Sequence, residues 1–148
     1  MKQIIYEKYG EPDQVLKVVE RAPLRPEANE VIIKLEAAPV HLADLKGVTG
    51  QPWFRHVTLP AVPGYEGVGA ISALGTGVDP SLLGKRVFLP VGYGAWSQET
   101  RASATGLWFP PQNISSEQLA LIPINLPTAY LMLTTYGAMN RGDWVIQN

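Results

Sequence analysis

The sequence predicts a mainly β domain that is followed by helical residues, and two observations support this prediction. Thirteen prolines and fourteen glycines interrupt the chain at short intervals, and they leave runs of about four to eight residues, the length of strands rather than helices. Near residue 115 the apolar residues change to helical spacing. We therefore expect short strands arranged as a barrel or sandwich, with a helix near the end of the chain.

The predicted strands begin with a hairpin formed by QIIYEKY and VLKVVER, with GEPDQ as its turn. The segment EVIIKLEAAPV, residues 30–40, alternates well enough for a half-buried strand. Further strands are predicted over GVGAISALG, which follows the Pro63-Gly64 turn, and over GKRVFLPV, GAWSQETRASA and GLWFPP. Short strands at this spacing are typical of a barrel or sandwich.

Helical signals occur in three segments. SSEQLALI opens with residues that favour a helix start. LPTAYLMLTTYG has Pro127 where a first helical turn tolerates proline and Gly137 where a helix can end. The stretch HLADLKGV, residues 41–48, is predicted as a shorter helix.

Composition narrows the class of protein. Hydrophobic residues make up 46% of the chain and charged residues 17%, and no apolar run approaches the length of about 20 residues that crosses a bilayer. The net charge is -1 without a basic block, which argues against nucleic acid as a partner. The start of the chain lacks the apolar core of a secretory signal, so we expect a cytoplasmic protein without a membrane role. The absence of cysteine excludes disulfides, thiolate zinc sites and a cysteine nucleophile.

Six motifs occur in the order and at roughly the spacing of one enzyme superfamily. They are EVIIKLEAAPVHLADLKGVTG, LPAVPGYEGVGAISALGTGV, GKRVFLP, GAWSQET, PTAYLML and GDWVIQN. By these motifs the chain resembles the medium-chain dehydrogenase/reductase superfamily over essentially its whole length. It is most similar to the zinc-independent branch, the quinone oxidoreductases and especially the 2-enoyl thioester reductases.

The resemblance implies a parent protein with two domains. It implies a GroES-like β-barrel over residues 1–122 that carries most of the substrate site. Residues 123–148 would then form an interdomain helix and the first strand of a truncated Rossmann domain. The glycine-rich phosphate loop of such a domain follows the strand that GDWVIQN resembles. We therefore expect NADPH as the cofactor of the parent and no cofactor for this chain alone.

Zinc-dependent relatives hold a catalytic metal at three positions, and the resemblance places His41, Tyr65 and Ile124 at the matching positions of this chain. One imidazole and one phenol cannot form the open site with three protein ligands that zinc catalysis requires, so we expect no catalytic metal. Glu66, in PGYEGVG, has two interpretations. It orients a metal or lies near the nicotinamide, or it accepts hydrogen bonds from backbone N–H groups, as buried carboxylates usually do.

Reduction of an enoyl thioester places negative charge on the carbonyl oxygen and then requires a proton at the α-carbon. In the thioester reductases a tyrosine serves both needs, and the resemblance places Trp53 at its position. An indole N–H donates a hydrogen bond but does not release a proton at useful rates. Tyr65, our other candidate catalytic residue, or His56 could replace the donor. The alternatives are that Tyr65 is a core ring with a satisfied hydroxyl and that His56 is a solvated loop residue.

Aromatic residues suggest where a substrate binds. Trp53, Phe54 and Trp96 could line an apolar pocket of the kind on which a quinone stacks. The alternative is that these rings belong to the core, as aromatic residues of a β-rich domain usually do.

The resemblance also implies three cofactor-binding residues. Asn125 and Thr128, in INLPTAY, match a segment that reaches the nicotinamide and its ribose. His41 matches a position just after the barrel strand that faces the cofactor. Asn125 and Thr128 have a structural alternative as capping residues of the helix at Pro127.

Three functions are compatible with these features. The first is the catalytic domain of an NADPH-dependent, zinc-independent reductase that acts on a quinone, an enone or a 2-enoyl thioester and is inactive alone. The others are a free-standing binding module without a redox step and a GroES-like interaction domain. A small molecule is the expected partner, and a homo-oligomer through the exposed segment AYLMLTTYGAMNRGDWVIQN, residues 129–148, is a further expectation.

Overall fold

The computed structural model describes residues 1–56, 58–92 and 94–146. In these ranges the strands are β1 (Lys2–Ile5), β2 (Lys17–Glu20), β3 (Glu30–Ala37), β4 (Val68–Leu74), β5 (Arg86–Phe88) and β6 (Glu99–Ser103). The α-helices are α1 (Pro12–Val15), α2 (Leu42–Val48), α3 (Ser116–Leu119) and α4 (Asn125–Leu131), and α4 continues as a π-helix over Met132–Tyr136. A 3-10 helix covers Pro80–Leu82. The prediction of a mainly β domain with a few short helices is confirmed.

The strands form two antiparallel sheets. The larger sheet has the order β5-β4-β3-β6, and the smaller one pairs β1 with β2. In the larger sheet the central strand is β3, where Ile33 lies opposite Ile71 of β4 and Thr100 of β6. A bridge between Gln3 and Ser97 joins the smaller sheet to the residues just before β6.

The main core lies on one face of the larger sheet. β3 contributes Val31 and Ile33, which are two residues apart and therefore share a face. They pack with Ile71, Val87 and Ala102 from the other three strands. β-Branched side chains suit a pleated, packed surface, so the run Val31-Ile32-Ile33 favours a strand, and all three residues are buried.

Two smaller clusters fix the helices on this framework. Leu119 of α3 packs with Val68 of β4 and Phe88 of β5. Val48 of α2 packs with Tyr6, which follows β1, and both are fully buried. The end of α2 is therefore held at a defined place beside the sheets.

Three predicted segments differ in the structure. The connection between β1 and β2 contains helix α1 rather than a turn alone. GLWFPP forms no strand, because Pro110 and Pro111 lack the N–H groups that a ladder requires. GDWVIQN forms no strand over residues 143–146, since none of the described strands pairs with it and a strand needs a neighbour. Gln147 and Asn148 lie outside the described residues.

The residues from Asn125 to Ile146 add nothing to the buried core. Tyr136 and Trp144 are 81% and 92% exposed, and Ile146 is 92% exposed. The predicted domain division after residue 122 stays a prediction. Among the helices of residues 1–56, 58–92 and 94–146, none has the length and apolar character needed to cross a membrane.

Candidate functional site

An open cleft brings together residues from distant parts of the sequence. Its volume is about 410 Å³. The lining comes from the start of α2, the loop after α2, the turn before β4 and the residue before α4: His41, Leu42, Ala43, Trp53, Phe54, Tyr65 and Ile124. The walls are mainly apolar, with one imidazole and one phenol as their ionisable groups.

The cleft contains the three positions that the resemblance matches to zinc ligands. His41, Tyr65 and Ile124 all line it. In the sequence Tyr65 follows His41 by 24 positions (65 - 41), and Ile124 follows Tyr65 by 59 positions (124 - 65). In the part of the chain that the structure describes, no group of three or more His, Asp or Glu side chains could hold a metal ion. The three positions thus lie in one cleft, where their side chains are an imidazole, a phenol and an alkyl group.

Asp44 ties two walls of the cleft together. Its side chain is buried, with 2% of the residue exposed. One carboxylate oxygen, Oδ2, accepts the backbone N–H of His41 at 2.8 Å, and Oδ1 accepts the backbone N–H of Tyr65 at 3.0 Å. Sequence reasoning missed Asp44. Its signal is the acid three residues after His41, where a side chain can bond back to the residue that caps a helix.

Glu66 is buried completely and makes two contacts. Its Oε1 forms a hydrogen bond with Nε2 of His41, and its Oε2 accepts the backbone N–H of Ile124 at 2.8 Å. The interpretation of Glu66 as an acceptor of backbone hydrogen bonds is confirmed. The contact with His41 adds a link to the imidazole that lines the cleft.

The hydroxyl of Tyr65 donates a hydrogen bond to the carbonyl of Phe54 at 2.7 Å. Burial raises the pKa of the Tyr65 phenol above its ordinary value, and the negative charge of Asp44 raises it further. The phenol therefore keeps its proton at neutral pH. This contact fits the alternative in which Tyr65 is a packed ring with a satisfied hydroxyl, while the same ring still lines the cleft.

Trp53 and Phe54 form the aromatic side of the cleft. Trp53 is 94% exposed at its rim, and the ammonium group of Lys46 lies 5.4 Å from the centre of the Phe54 ring, within the range of a cation–π contact. Gly47 of α2 packs directly on this loop, because a Cβ atom at Gly47 would lie 2.7 Å from the Phe54 carbonyl oxygen. A glycine is needed there for α2 to approach the loop so closely.

Two other predicted residues lie away from this cleft. Trp96 lines a separate groove of about 400 Å³ beside β1 and β3, its Nε1 donates to the Pro39 carbonyl at 3.2 Å, and its ring packs against the main core. The structure therefore does not bring Trp96 to Trp53. His56 is half-buried rather than solvated, with its ring edge-on to Tyr6 at a centroid distance of 6.1 Å.

Asn125 and Thr128 lie in α4 and are exposed. The hydroxyl of Thr128 donates to the Ile124 carbonyl at 2.6 Å, which is local helical bonding of the kind expected for the alternative. The helix is capped by Ile124 and not by Asn125, so the capping alternative for Asn125 is wrong. Both residues follow Ile124, which itself lines the cleft.

Comparison with known proteins agrees with this arrangement. The family model of the alcohol dehydrogenase GroES-like domain matches residues 27–111, more than half of the chain. The fold and this match define a GroES-like domain, and the chain belongs to the alcohol dehydrogenase GroES-like domain family.

Individual relatives narrow the resemblance. The chain is 37% identical to the mitochondrial enoyl-acyl-carrier-protein reductase of Xenopus tropicalis, over 98% of this chain and 41% of that protein. It is 35% identical to the corresponding protein of Arabidopsis thaliana, over 99% of this chain and 39% of that protein. The structure of Escherichia coli quinone oxidoreductase complexed with NADPH matches with a TM-score of 0.77 and 29% identity, over 92% of this chain and 41% of that chain.

These findings confirm the predicted resemblance to quinone and enoyl reductases. The chain spans about two-fifths of the length of the relatives it matches. The two enoyl reductases are named as mitochondrial, and the cytoplasmic location of this chain stays a prediction.

Proposed function

We propose that this chain is the substrate-side domain of an NADPH-dependent, zinc-independent reductase that acts on a quinone, an enone or a 2-enoyl thioester. We propose further that the chain is inactive alone. The supporting observation is the cleft, where His41, Tyr65 and Ile124 meet at the matched metal-ligand positions. An imidazole, a phenol and an alkyl group do not make a zinc site with three ligands. Apolar walls with few polar groups suit a largely apolar small molecule.

NADPH supplies a hydride when it is bound, and the residues of this chain fit one part of it. His41 at the cleft and Asn125 and Thr128 in α4 offer polar groups for the nicotinamide end. A pyrophosphate is normally held by a glycine-rich turn at a helix start. Among the α-helices of the described residues, none follows a turn with more than one glycine. This supports the proposal that the phosphate site belongs to a further domain.

The cleft residues offer distinct chemistry to a conjugated carbonyl substrate. Trp53 and Phe54 can stack on a planar, conjugated group. The phenol of Tyr65 holds a proton at neutral pH, and it can reach a ligand by exchanging its bond to the Phe54 carbonyl. A donor of this kind stabilises negative charge on a carbonyl oxygen and can deliver a proton to carbon.

Calorimetric titration with NADPH tests the division of the cofactor site. The polar groups of this chain offer a few hydrogen bonds of about 0.5–1.5 kcal/mol each, against an association cost of about 4–15 kcal/mol. The purified chain should bind NADPH more weakly than millimolar and show no reductase activity. The same chain joined to a nucleotide-binding domain should show both. Micromolar binding by the 148 residues alone would contradict the proposal.

Metal analysis after dialysis tests the zinc-independent part separately. We expect no stoichiometric zinc, because the cleft offers too few ligands. Stoichiometric zinc that is lost on His41→Ala would show that the cleft is a metal site after all.

A binding module without a redox step is the second candidate, and it is favoured by the mainly apolar cleft of about 410 Å³ that this chain forms. Quenching of tryptophan fluorescence by a quinone measures quinone binding to the chain, and Trp53→Phe assigns the quenched signal to the cleft. Together with a reductase assay of the extended protein, it distinguishes the two candidate functions. If the chain binds the quinone and the extended protein has no reductase activity, the binding module is correct.

A further inference from the structure

We propose that Glu66 is a positioning residue that holds the His41 ring with its proton on Nε2 and anchors the start of α4 at the same time. One buried carboxylate would thereby align the two elements that carry the candidate cofactor contacts. The catalytic meaning of this inference rests on the proposed function. The inference itself concerns the geometry of residues in this chain.

The contacts of Glu66 connect three distant segments. The carboxylate lies in the turn before β4, 25 positions after His41 and 58 positions before Ile124. It is fully buried, whereas the His41 side chain keeps 17% of its surface exposed and lines the cleft. Glu66 therefore supports the imidazole from the protein side while the ring borders the ligand space.

The position of the proton follows from the chemistry of the pair. A buried carboxylate is stable only when hydrogen-bond donors satisfy it. Within the described residues, the donors found for Glu66 are the Ile124 N–H and the His41 ring. An ionised carboxylate only accepts hydrogen bonds, so the contact places the proton on Nε2, which donates it to Oε1.

This arrangement decides what His41 can offer to a ligand. When the ring is neutral, its N–H is used by Glu66 and the lone pair lies on Nδ1. The His41 side chain also takes part in a capping box with Asp44 at the start of α2, so its neutral ring is not the proton donor of the cleft. The second oxygen of Glu66 fixes the Ile124 backbone, which directly precedes Asn125.

Nitrogen-15 NMR of the His side chains in the full chain tests the proposal. The chain has two histidines, and His56→Gln assigns their signals. At alkaline pH we expect His41 in the Nε2–H form. In Glu66→Gln one of the two acceptor oxygens becomes an NH2 group. Either the amide oxygen keeps the Ile124 bond and the His41 ring switches to the Nδ1–H form, or it keeps the His41 bond and the Ile124 N–H loses its acceptor and exchanges faster. An Nδ1–H form in the unmodified chain, or a folded Glu66→Gln variant in which neither the ring form nor the Ile124 amide exchange changes, would overturn the proposal.

Glu99→Gln is the matched control, because the Glu99 carboxylate accepts the Leu24 N–H at 3.2 Å outside the cleft. It should leave the His41 form unchanged. In Glu66→Ala, amide hydrogen exchange at Ile124 should accelerate by at least about tenfold, as expected when a hydrogen bond to a charged group is lost. If the Glu66 variants do not fold, the form of the His41 ring in the unmodified chain still decides whether Nε2 carries the proton.

These measurements need no cofactor, which separates this inference from the proposed function. An extended protein that binds no NADPH while His41 has the Nε2–H form would refute the function and support the positioning role. NADPH binding with His41 in the Nδ1–H form would support the function and refute the positioning role.

Discussion

Asp44→Asn tests whether one buried carboxylate holds two walls of the cleft together. The substitution hardly changes the size of the side chain, but a carboxamide has one acceptor oxygen where a carboxylate has two. The N–H groups of His41 and Tyr65 are bound to different oxygens of Asp44, at 2.8 and 3.0 Å. In the variant, one of these N–H groups must face an NH2 group, so one hydrogen bond breaks. The other hydrogen bond then has a neutral oxygen as its acceptor in place of a charged one.

The two contacts set the size of the effect. A hydrogen bond to a charged group contributes about 1.5–3 kcal/mol, and a neutral one about 0.5–1.5 kcal/mol. Losing one such bond and weakening the other should lower the free energy of unfolding by about 2–4 kcal/mol. This is a large part of the total stability of about 5–15 kcal/mol that domains usually have.

Urea unfolding, followed by tryptophan fluorescence and extrapolated to water, measures this loss. The matched control is Asp13→Asn, because Asp13 is also an acid in a first helical turn but is exposed. The control should change the free energy of unfolding by less than about 0.5 kcal/mol. If Asp44→Asn were no more destabilising than Asp13→Asn, the assignment of Asp44 as a link between the two walls would be refuted.

Gly47→Ala should destabilise the chain by about 1–3 kcal/mol in the same urea assay, because the new Cβ would lie 2.7 Å from the Phe54 carbonyl oxygen. It should also weaken the quenching of tryptophan fluorescence by a quinone, and unchanged quenching would contradict this. Tyr65→Phe should cost about 0.5–1.5 kcal/mol at neutral pH. The pKa of Tyr65 is raised, so the folded state keeps the phenolic proton to a higher pH than the unfolded state does. The contribution of the protonated phenol to the free energy of unfolding is therefore present below about pH 10 and is lost at higher pH. Urea unfolding at several pH values should therefore show the unmodified chain losing stability relative to Tyr65→Phe above about pH 10, and parallel curves would refute it. Trp144→Glu should reduce concentration-dependent association in sedimentation velocity, because Trp144 is 92% exposed. Leu83→Glu, at another exposed apolar site, is the control, and an equal effect of this substitution would show that the chain does not associate through residues 129–148.

The sheet was predictable because its signals are local. Val31, Ile32 and Ile33 are consecutive β-branched residues within one short segment, and this run assigns the strand. All three are buried, so the run does not assign a single buried face. The helix signals at Pro127 and Gly137 are local in the same way, and the helical residues do end at Tyr136. GLWFPP was misassigned because its aromatic and apolar residues were given more weight than two consecutive prolines.

The cleft was predictable through the family motifs and not through geometry. Matching His41, Tyr65 and Ile124 to three metal-ligand positions placed them together before any distance was known. The roles of Asp44 and Glu66 could not be obtained in this way, because a hydrogen bond between residues 21 or 58 positions apart leaves no periodic trace in a single sequence. Trp96 shows the opposite error, since its residue type suits a pocket but the segment before β6 carries it to another groove.

The two buried acids have complementary effects on the same residue. Asp44 holds the backbone of His41, and Glu66 holds its ring. Each acid also holds a second wall, the first through the Tyr65 backbone and the second through the Ile124 backbone. Burying two carboxylates is unfavourable unless donors are fixed around them, and here most of those donors are backbone N–H groups, those of His41, Tyr65 and Ile124. The shape of the cleft therefore depends on directed polar contacts, while its walls stay apolar, and a change of side chain at the wall can alter the ligand without disturbing the frame.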